Sequence, residues 1–436
     1  MIHSQGRSSL PLPACLAASA VALASCASTE PSTQIVSVDS GEVAANQPTT
    51  GTVSISADGR YVVFSSGATN LDPIDDTGGV FLRDTLTGET EKVSLSSVNQ
   101  AGPGGGADMS ADGRFIVFTS AGQLSPFDLN DFLDVYVRDL EQGTTELVSV
   151  FPGKVPGDGD SKNASISADG RFVVFESEAD NLSPYDNNGL QDIYIRDLDS
   201  EAIEIVSVRG NLLPANGSSF HPTVSDDGRF VAFSSQADNL VPFSSLDAAQ
   251  CYVRDREEGE TEMISVRTSS DAGNVTSGHS VISGNGRYVL FATSANNLSP
   301  LNINGVMQIF MRDRVAQTTQ VVSLSDGGVP ANGRCWPQMA ISPDGRFIAF
   351  PSEADNLLGG SFNEFPQIYV RDLELGVIEL VSVSLGGVAA NDNSFWPALS
   401  DDGQFVAFVS RANDLVPDSE HEFWDVFLRD RGAAEE

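Results

Sequence analysis

Lysine is nearly absent from this chain, and acidic residues far outnumber basic ones. Lys92, Lys154 and Lys162 are the three lysines among 436 residues, and 60 Asp and Glu against 24 Lys and Arg give a net charge of -36. A nucleic-acid-binding protein needs a basic surface to displace counterions from phosphates, so this balance excludes a nucleic-acid partner. No hydrophobic run is long enough to span a bilayer, whereas 40% hydrophobic residues supply a large core. The composition therefore predicts a globular protein.

Cysteines and known catalytic motifs are also scarce. The four cysteines are Cys15, Cys26, Cys251 and Cys335. Sequence alone does not decide whether Cys251 and Cys335 pair, but they fall at different points of the repeat described below, so two free thiols are expected. The chain contains no G-x-S-x-G elbow, no H-E-x-x-H helix and no phosphate-binding glycine-rich loop. These absences predict a protein that is not an enzyme.

The first 25 residues have the pattern of an export signal. Arg7 lies in a polar head, an apolar stretch follows, and small residues precede Cys26. The Leu-Ala-Ser-Cys sequence that ends at Cys26 resembles the lipobox of bacterial lipoproteins, which implies a linker over residues 26–32 with a lipid on Cys26. Ala27 follows in place of Asp, and by that resemblance the outer membrane is favoured, with the protein facing the periplasm or the exterior. The alternative is an ordinary cleaved signal in which Cys26 has no role.

Two sequence markers recur seven times with a similar spacing. Asp-Gly-Arg or a close variant begins at residues 58, 112, 169, 227, 285, 344 and 402, and Arg-Asp begins at residues 83, 138, 196, 254, 312, 371 and 429. Each unit contains four short β-branched and aromatic runs separated by turn residues, which predicts four strands. The second run, residues 171–177 in the third unit, is apolar at consecutive positions, so both faces of that strand are expected to be buried.

Seven four-stranded units that bury both faces are typical of radial stacking, in which each unit covers its neighbour. We predict an all-β, seven-bladed β-propeller with four-stranded antiparallel blades over residues 33–431. A β-solenoid is the alternative, but its coils are shorter and lack these hairpin turns. Residues 33–38 form a lone strand before the first unit, and the seventh unit lacks its outermost strand. The N-terminal strand is therefore expected to complete the last blade and close the ring.

Units such as "SADGRFVVFESEADNLSPYDNNGLQDIYIRDLDSEAIEIVSV" resemble the TolB-type, WD-like β-propeller repeat of exported bacterial proteins. The WD repeat itself has about 40–45 residues and carries Gly-His and Trp-Asp signatures that are missing here. The resemblance implies the fold and says little about function, because such repeats occur in scaffolds, receptors and peptidase accessory domains. We predict a monomeric, non-catalytic scaffold at the cell envelope, which binds a protein or peptide and reaches the membrane only through its lipid.

The units differ most in the loop before the first strand and the loop after the second, which lie on the same face of a propeller. The loops before the first strand place His221, His279, Trp336 and Trp396 near the mouth of the central channel. Two Trp and two His beside Asn-rich loops are typical of a peptide or glycan site, so a glycan or polysaccharide is the alternative ligand. A hydrolase or lyase that uses the two histidines is a further alternative. In a purely structural interpretation, the two tryptophans pack between blades.

The loops after the second strand are rich in Asp and Asn. Closely spaced carboxylates and amides are the ligands that Ca²⁺ requires, although the complete EF-hand pattern is absent. Solvated turns explain the same residues, because Asp and Asn favour turns on their own. No other cofactor is predicted. The candidate calcium ligands are Asp128, Asn130 and Asp134 in the second unit and Asp186, Asn188 and Asp192 in the third.

Overall fold

Each sequence repeat folds into one antiparallel sheet of four strands, named a to d from the central channel outwards. The computed structural model describes residues 31–72, 77–210, 212–242, 248–268, 271–303, 305–359, 365–417 and 423–432. These residues form seven such sheets, numbered here as blades 1 to 7 in chain order. The prediction of an all-β, seven-bladed propeller is confirmed.

The strands have similar lengths in most blades, and strand a of blade 6 is shortened to two residues. The a strands are Thr49–Ile55, Gly105–Met109, Ser161–Ile166, Ser219–Val224, Ser277–Ile282, Ala340–Ile341 and Ser394–Leu399. The b strands are Tyr61–Ser66, Phe115–Ser120, Phe172–Ser177, Phe230–Ser235, Tyr288–Thr293, Phe347–Ser352 and Phe405–Ser410. The c strands are Gly79–Asp84, Asp134–Asp139, Asp192–Asp197, Gln250–Asp255, Gln308–Asp313, Gln367–Asp372 and Asp425–Asp430. The d strands are Glu89–Lys92, Thr144–Leu147, Ile203–Ile205, Glu260–Met263, Thr318–Val321, Val377–Leu380 and, in blade 7, Ser32–Ile35.

In the part of the chain that the structure describes, other regular structure is confined to short connections. Two ribbons join successive blades, Val150–Phe151 with Val155–Pro156 and Val208–Arg209 with Leu213–Pro214. One 3₁₀ turn spans Asp180–Leu182. Among the described residues, no helix is long and apolar enough to cross a membrane.

The N-terminal strand closes the ring, as predicted. Ser32–Ile35 pairs antiparallel with strand c of blade 7, with Ser32 opposite Asp430. Nearer the channel, the Asp401 N–H of blade 7 donates to the Ala57 carbonyl of blade 1 at 3.0 Å. The side chain of Phe405 covers the turn glycine Gly59 so closely that a Cβ there would lie 2.2 Å from the ring. Blade 7 therefore packs on blade 1 as other blades pack on their neighbours, and Gly170 meets Phe115 in the same way, at 2.3 Å.

The hydrophobic core lies between blades rather than within any one of them. Val173 of strand b packs in a cluster with residues of blade 2, whereas the next residue, Val174, packs in a cluster with residues of blade 4. Successive side chains of a strand point to opposite faces of the sheet, so an apolar run fills both interfaces. The predicted burial of both faces of strand b is confirmed.

The recurring markers hold each blade together. Arg171 of the Asp-Gly-Arg turn donates from Nε and Nη2 to the two carboxylate oxygens of Asp197 at 2.9 and 2.7 Å, a fork that joins the a–b turn to the end of strand c. Gln404 replaces arginine in blade 7 and still donates to Asp430 at 2.9 Å. A Val-Ser-Val run, residues 206–208 in blade 3, directly follows strand d, and its Ser207 hydroxyl accepts from the Ile193 N–H of strand c at 2.9 Å.

Two faces of the ring follow from this topology. The b–c loops and the d–a connections share one face, here called the mouth face, and the a–b and c–d turns share the opposite one, the turn face. Strand d of blade 7 starts beside the end of strand c, because Ser32 pairs with Asp430. Ser32 therefore lies at the turn face.

Candidate functional site at the channel mouth

A ring of bulged residues surrounds the channel near the mouth face. The pairing of strands a and b shifts register in six blades, and in each the bulge contains one residue with left-handed backbone, such as His221 with φ 55°. In blade 6, Gln338 lies at the corresponding place, between the Cys335–Ser352 bridge and the short strand a. Strand a is the innermost strand of a propeller blade, so these bulges lie around the channel. The channel ring consists of Gly51, Gly106, Asn163, His221, His279, Gln338 and Trp396.

The two histidines of the ring lie in contact. The imidazoles of His221 and His279 stack with centroids 3.9 Å apart and planes 30° from parallel, and Phe220 meets His221 edge-on. Burial, the neighbouring His279 and Lys162 lower the pKa of His221 to about 4, and burial lowers the pKa of His279. Both rings are therefore neutral near pH 7. The buried Nδ1 of His221 has no hydrogen-bond partner among the described residues.

A buried carboxylate supports the histidine side of the ring. Glu176 of strand b is 2% exposed, and it accepts hydrogen bonds from the Asn163 side-chain amide and, at 3.0 Å, from the backbone N–H of His221. Burial raises its pKa. The other blades carry Ser, Thr, Ala, Pro or Val at this place in strand b. Glu176 therefore ties the bulges of blades 3 and 4 together and fixes the backbone that carries His221.

Aromatic side chains form the opposite part of the mouth. Trp336, Phe395, Trp396 and Trp424 are half-buried, and their ring centroids form a chain of contacts between 5.3 and 6.2 Å. We call these four residues the aromatic wall. Trp396 and Trp424 also pack on the core cluster between blades 7 and 1, so Trp396 packs between blades while it remains half-buried. The part left exposed offers planar apolar surface beside the channel ring.

Two arginines flank the aromatic wall in this acidic protein. The guanidinium of Arg334 lies 3.9 Å from the ring centre of Trp336, and that of Arg411 lies 5.9 Å from the ring centre of Trp424. The indole N–H of Trp336 donates to Glu353 at 3.1 Å. The cations hold the indole planes through cation–π contacts, and Glu353 holds the Trp336 edge, so the wall is preorganised.

The candidate calcium ligands have structural partners. Asp134 and Asp192 begin strand c in blades 2 and 3 and accept hydrogen bonds from the hydroxyls of Ser149 and Ser207. The hydroxyls of Tyr136 and Tyr194 donate to Asp128 and Asp186 in the same way. The amides of Asn130 and Asn188 each donate to a backbone carbonyl of the following d–a connection at 2.9 Å. Within the described ranges, no group of three or more His, Cys, Asp and Glu side chains is arranged to hold a metal ion. The calcium site stays a prediction.

Comparison between blades explains why these Asp and Asn residues occur together. In blades 4, 5 and 6 a glutamine takes the place of Asp192, and Gln308, for example, accepts from Ser323 at 2.7 Å and donates to the Ala331 carbonyl at 2.8 Å. In blade 3, Asp192 supplies the acceptor and Asn188 supplies the donor. The Asp and Asn pair therefore makes the two hydrogen bonds that one glutamine makes in blades 4 to 6. This gives a structural reason for the closely spaced Asp and Asn residues that suggested cation ligands.

The four residues predicted at the mouth divide into two groups. His221, His279 and Trp396 belong to the channel ring, and Trp336 lies in the aromatic wall, joined to Trp396 through Phe395. The prediction missed Glu176 and Trp424. Alignment of the seven repeats would have marked Glu176, because it is the one charged residue at its place in strand b. Cys251 and Cys335 are both buried and free, as expected, and Cys26 lies outside the described residues.

No protein-family profile matches this chain, and no curated protein matches its sequence. Solved structures match it at low identity. The match to an oligogalacturonate lyase in complex with manganese covers 88% of this chain and 89% of the lyase chain, with 14% identity and a TM-score of 0.53. The match to the β-propeller domain of the trilobed protease from Pyrococcus furiosus covers 88% of this chain and 94% of that domain's chain, with 12% identity and a TM-score of 0.55. The match to TolB from Acinetobacter baumannii covers 76% of this chain and 62% of the TolB chain, with 14% identity and a TM-score of 0.40.

These matches correct one prediction. We expected a protein that is not an enzyme, because no known catalytic motif occurs in the sequence. That prediction is wrong, since enzymes and enzyme domains with this fold match the chain over most of its length. A propeller without such a motif is therefore not excluded from catalysis. At these identities the similarity concerns the fold alone, and the chain is a seven-bladed β-propeller.

Proposed function

We propose that the channel mouth binds an oligosaccharide. The observation that carries this proposal is the continuity of the aromatic wall with the polar part of the channel ring through Trp396. Sugar rings present apolar faces and hydroxyl edges, and sites that bind them combine planar aromatic surface with amide and imidazole groups. Asn163, His221, His279 and Gln338 supply such groups around the channel.

The charge state of the site suits hydroxyl groups. Neutral imidazoles both accept and donate hydrogen bonds, whereas an imidazolium only donates. His221 is neutral above about pH 4, and its Nδ1 is one unused hydrogen-bonding atom. The side-chain Oε1 of Gln338 is another buried oxygen without a partner among the described residues. A ligand hydroxyl can donate to such acceptors and so offset the cost of burying them unpaired.

The proposal is tested by isothermal titration calorimetry with cellohexaose, xylohexaose and hexagalacturonate. We expect saturable binding of at least one of these oligosaccharides. Trp336→Ala should weaken that binding about tenfold, because stacking on a half-buried aromatic ring contributes roughly 1–2 kcal/mol. Trp336 lies at the edge of the wall and outside the core clusters, so the melting temperature should change little. Absence of binding by all three, or equal binding by the variant, would contradict the proposal.

Cleavage of the bound glycan is a second candidate, and the unpartnered Nδ1 of His221 favours it. A neutral imidazole with a free nitrogen can accept a proton from a substrate held beside it. With a pKa of about 4, His221 stays unprotonated from pH 5 to 8, so activity through this group should be constant over that range and fall below pH 4. A reducing-sugar assay on the matching polysaccharide measures it. His221→Gln should abolish turnover but preserve binding; unchanged turnover would refute this role.

The predicted protein or peptide partner remains a separate proposal. Crosslinked co-purification from cell envelopes, followed by mass spectrometry, tests it directly. A dominant partner that is still recovered with Trp336→Ala would use another part of the surface. Loss of that partner with the same variant would place a peptide rather than a glycan on the aromatic wall.

An anchor at Cys26 would orient the propeller. Ser32 lies at the turn face, and Cys26 precedes Pro31 by only five residues in the sequence. A lipid on Cys26 would thus hold the turn face towards the outer membrane and leave the channel mouth facing away, where a large glycan can reach it. Mass spectrometry of the mature N-terminus, with and without globomycin, tests the lipid. A mature chain without fatty acid would refute the anchor and leave the glycan site unaffected.

A further inference from the structure

The channel ring is incomplete on the side of blades 1 and 2. Its members there are Gly51 and Gly106, whereas the other five blades place a side chain at the corresponding position. A Cβ built on Gly51 would meet nothing within 4 Å, and one built on Gly106 would meet only the Thr119 Oγ1, at 3.9 Å. The ring therefore has a gap two blades wide, between Trp396 of blade 7 and Asn163 of blade 3.

The backbone does not impose this gap at Gly106. Its φ of 59° lies close to the 50° of Asn163 and the 55° of His221, which carry side chains at the same place in blades 3 and 4. Asparagine adopts left-handed backbone more readily than most residues. Asparagine would thus fit the backbone conformation of Gly106, and its side chain would fill the open space beside it. Gly51 is different, because its φ of 97° favours glycine.

One buried hydroxyl borders the gap at Gly106, and a second lies beside the neighbouring residue Gly105. Ser65 Oγ lies 4.0 Å from a Cβ built on Gly105, and Thr119 Oγ1 lies 3.9 Å from one built on Gly106. Ser65 is 0% exposed and Thr119 is 9% exposed, yet neither oxygen has a hydrogen-bond partner among the described residues. In blade 3, Glu176 occupies the place in strand b that Thr119 occupies in blade 2. Glu176 accepts two hydrogen bonds from the adjacent bulges, whereas Thr119 Oγ1 has no such partner among the described residues. Buried polar groups are ordinarily paired, so these two hydroxyls indicate a missing partner.

We propose that this gap is a subsite for an uncharged, hydroxyl-bearing sugar ring. We call it the glycine notch and define it by Gly51, Gly106, Ser65, Thr119 and the adjacent Trp396. A hydroxyl donates one hydrogen bond and accepts two, so Ser65 and Thr119 match the hydroxyls of a neutral sugar in either direction. None of the five residues is ionisable, and the protein carries a net charge of -36, so nothing in the notch offsets the charge of a uronate. Trp396 provides the surface for the apolar face of the ring.

This inference rests on the proposed oligosaccharide site and adds which part of it selects the ligand. The aromatic wall can hold any sugar face, whereas the glycine notch admits a ring only where side chains are missing and hydroxyls face it. Selectivity between neutral and acidic sugars is therefore assigned to blades 1 and 2, and the histidine pair lies across the ring in blades 4 and 5.

The decisive variant is Gly106→Asn, measured by calorimetry with cellohexaose, xylohexaose and hexagalacturonate. It introduces the side chain that blade 3 already carries and should lower the affinity for the neutral oligosaccharides at least tenfold by filling the notch. Gly328→Asn is the matched control, because Gly328 also has left-handed backbone, with φ 73°, and a Cβ there meets nothing within 4 Å. The control should bind as the natural protein does. Circular dichroism and the melting temperature establish that both variants fold.

Thr119→Val is the second variant and does not depend on how Gly106→Asn folds. It removes one hydroxyl at constant shape, so affinity should fall about fivefold to tenfold, the usual effect of one hydrogen bond to a buried partner. If both variants bind with unchanged affinity and Trp336→Ala still weakens binding, the glycine notch is refuted and the oligosaccharide site is not. Loss of effect in Trp336→Ala as well, or absence of binding by all three oligosaccharides, would overturn the oligosaccharide site and the notch together. Preferred binding of hexagalacturonate would refute the neutral ligand.

Discussion

A buried carboxylate should make this propeller less stable as the pH rises, and Asp134→Asn should remove the effect. Asp134 begins strand c of blade 2 and is 0% exposed. Its Oδ1 accepts from the Ser149 hydroxyl, and its Oδ2 has no partner among the described residues. Burial, with Asp128 and Asp160 nearby, raises the pKa of Asp134 from 3.8 to about 6.

The sign and the magnitude follow from proton linkage. Between the unfolded pKa near 4 and the folded pKa near 6, the folded state binds a proton that the unfolded state has released, so stability falls as pH rises through this window. A shift of about two units corresponds to about 3 kcal/mol, lost in full above pH 7. Asparagine is neutral at every pH and keeps the acceptor for Ser149, as the glutamines of blades 4 to 6 do. The variant should therefore equal the natural protein near pH 4 and exceed it by about 3 kcal/mol at pH 8.

Urea unfolding of both proteins at pH 4.5, 6 and 8 measures the difference. The control is Asp84→Asn, the same substitution at a carboxylate whose pKa the Arg60 fork lowers to about 2. That stability is present above the unfolded pKa and is lost as pH falls towards 2, so the control should be destabilised at pH 8 and approach the natural protein in acid. A difference for Asp134→Asn that does not change with pH would refute the assignment of a raised pKa.

Three further predictions concern closure, the repeated ion pair and calcium. Deletion of residues 32–38 leaves strand c of blade 7 with an unpaired edge, so the melting temperature should fall by at least about 5 °C in calorimetry, and an unchanged value would contradict closure. Arg229→Gln imitates the natural Gln404, so the free energy of unfolding measured in urea should fall by less than about 1 kcal/mol. A much larger fall would mean that the Arg229–Asp255 pair stabilises blade 4 more than a glutamine can. Calcium chloride in place of EDTA should leave the melting temperature unchanged, because Asp134 and Asp192 already accept hydrogen bonds from serines; a clear rise would establish the calcium site.

The candidate site could be predicted only in part. The sequence placed His221, His279, Trp336 and Trp396 at the mouth because the loops that carry them differ between repeats. It could not show that His221 stacks on His279, since that contact depends on the bulge in each of two neighbouring blades. It could not show that Asp192 and Asn188 accept from Ser207 and donate to the Ala215 carbonyl, because a structural pair and a cation site use the same residue types. It also passed over Gly51 and Gly106, since an absent side chain has no motif.

The sequence by itself determined the fold, its seven blades and the closure of the ring. Those features depend on local patterns, namely the apolar strand b, the glycine turns and the recurring Arg and Asp, each repeated seven times and therefore readable without any long-range contact. Only the tertiary structure decided what the channel mouth contains. Ring closure brings Trp396 of blade 7 beside Gly51 of blade 1, and radial stacking brings Glu176 to the backbone of His221. Residues far apart in the chain meet there because the ring is closed, and one repeat read alone contains no trace of its neighbours.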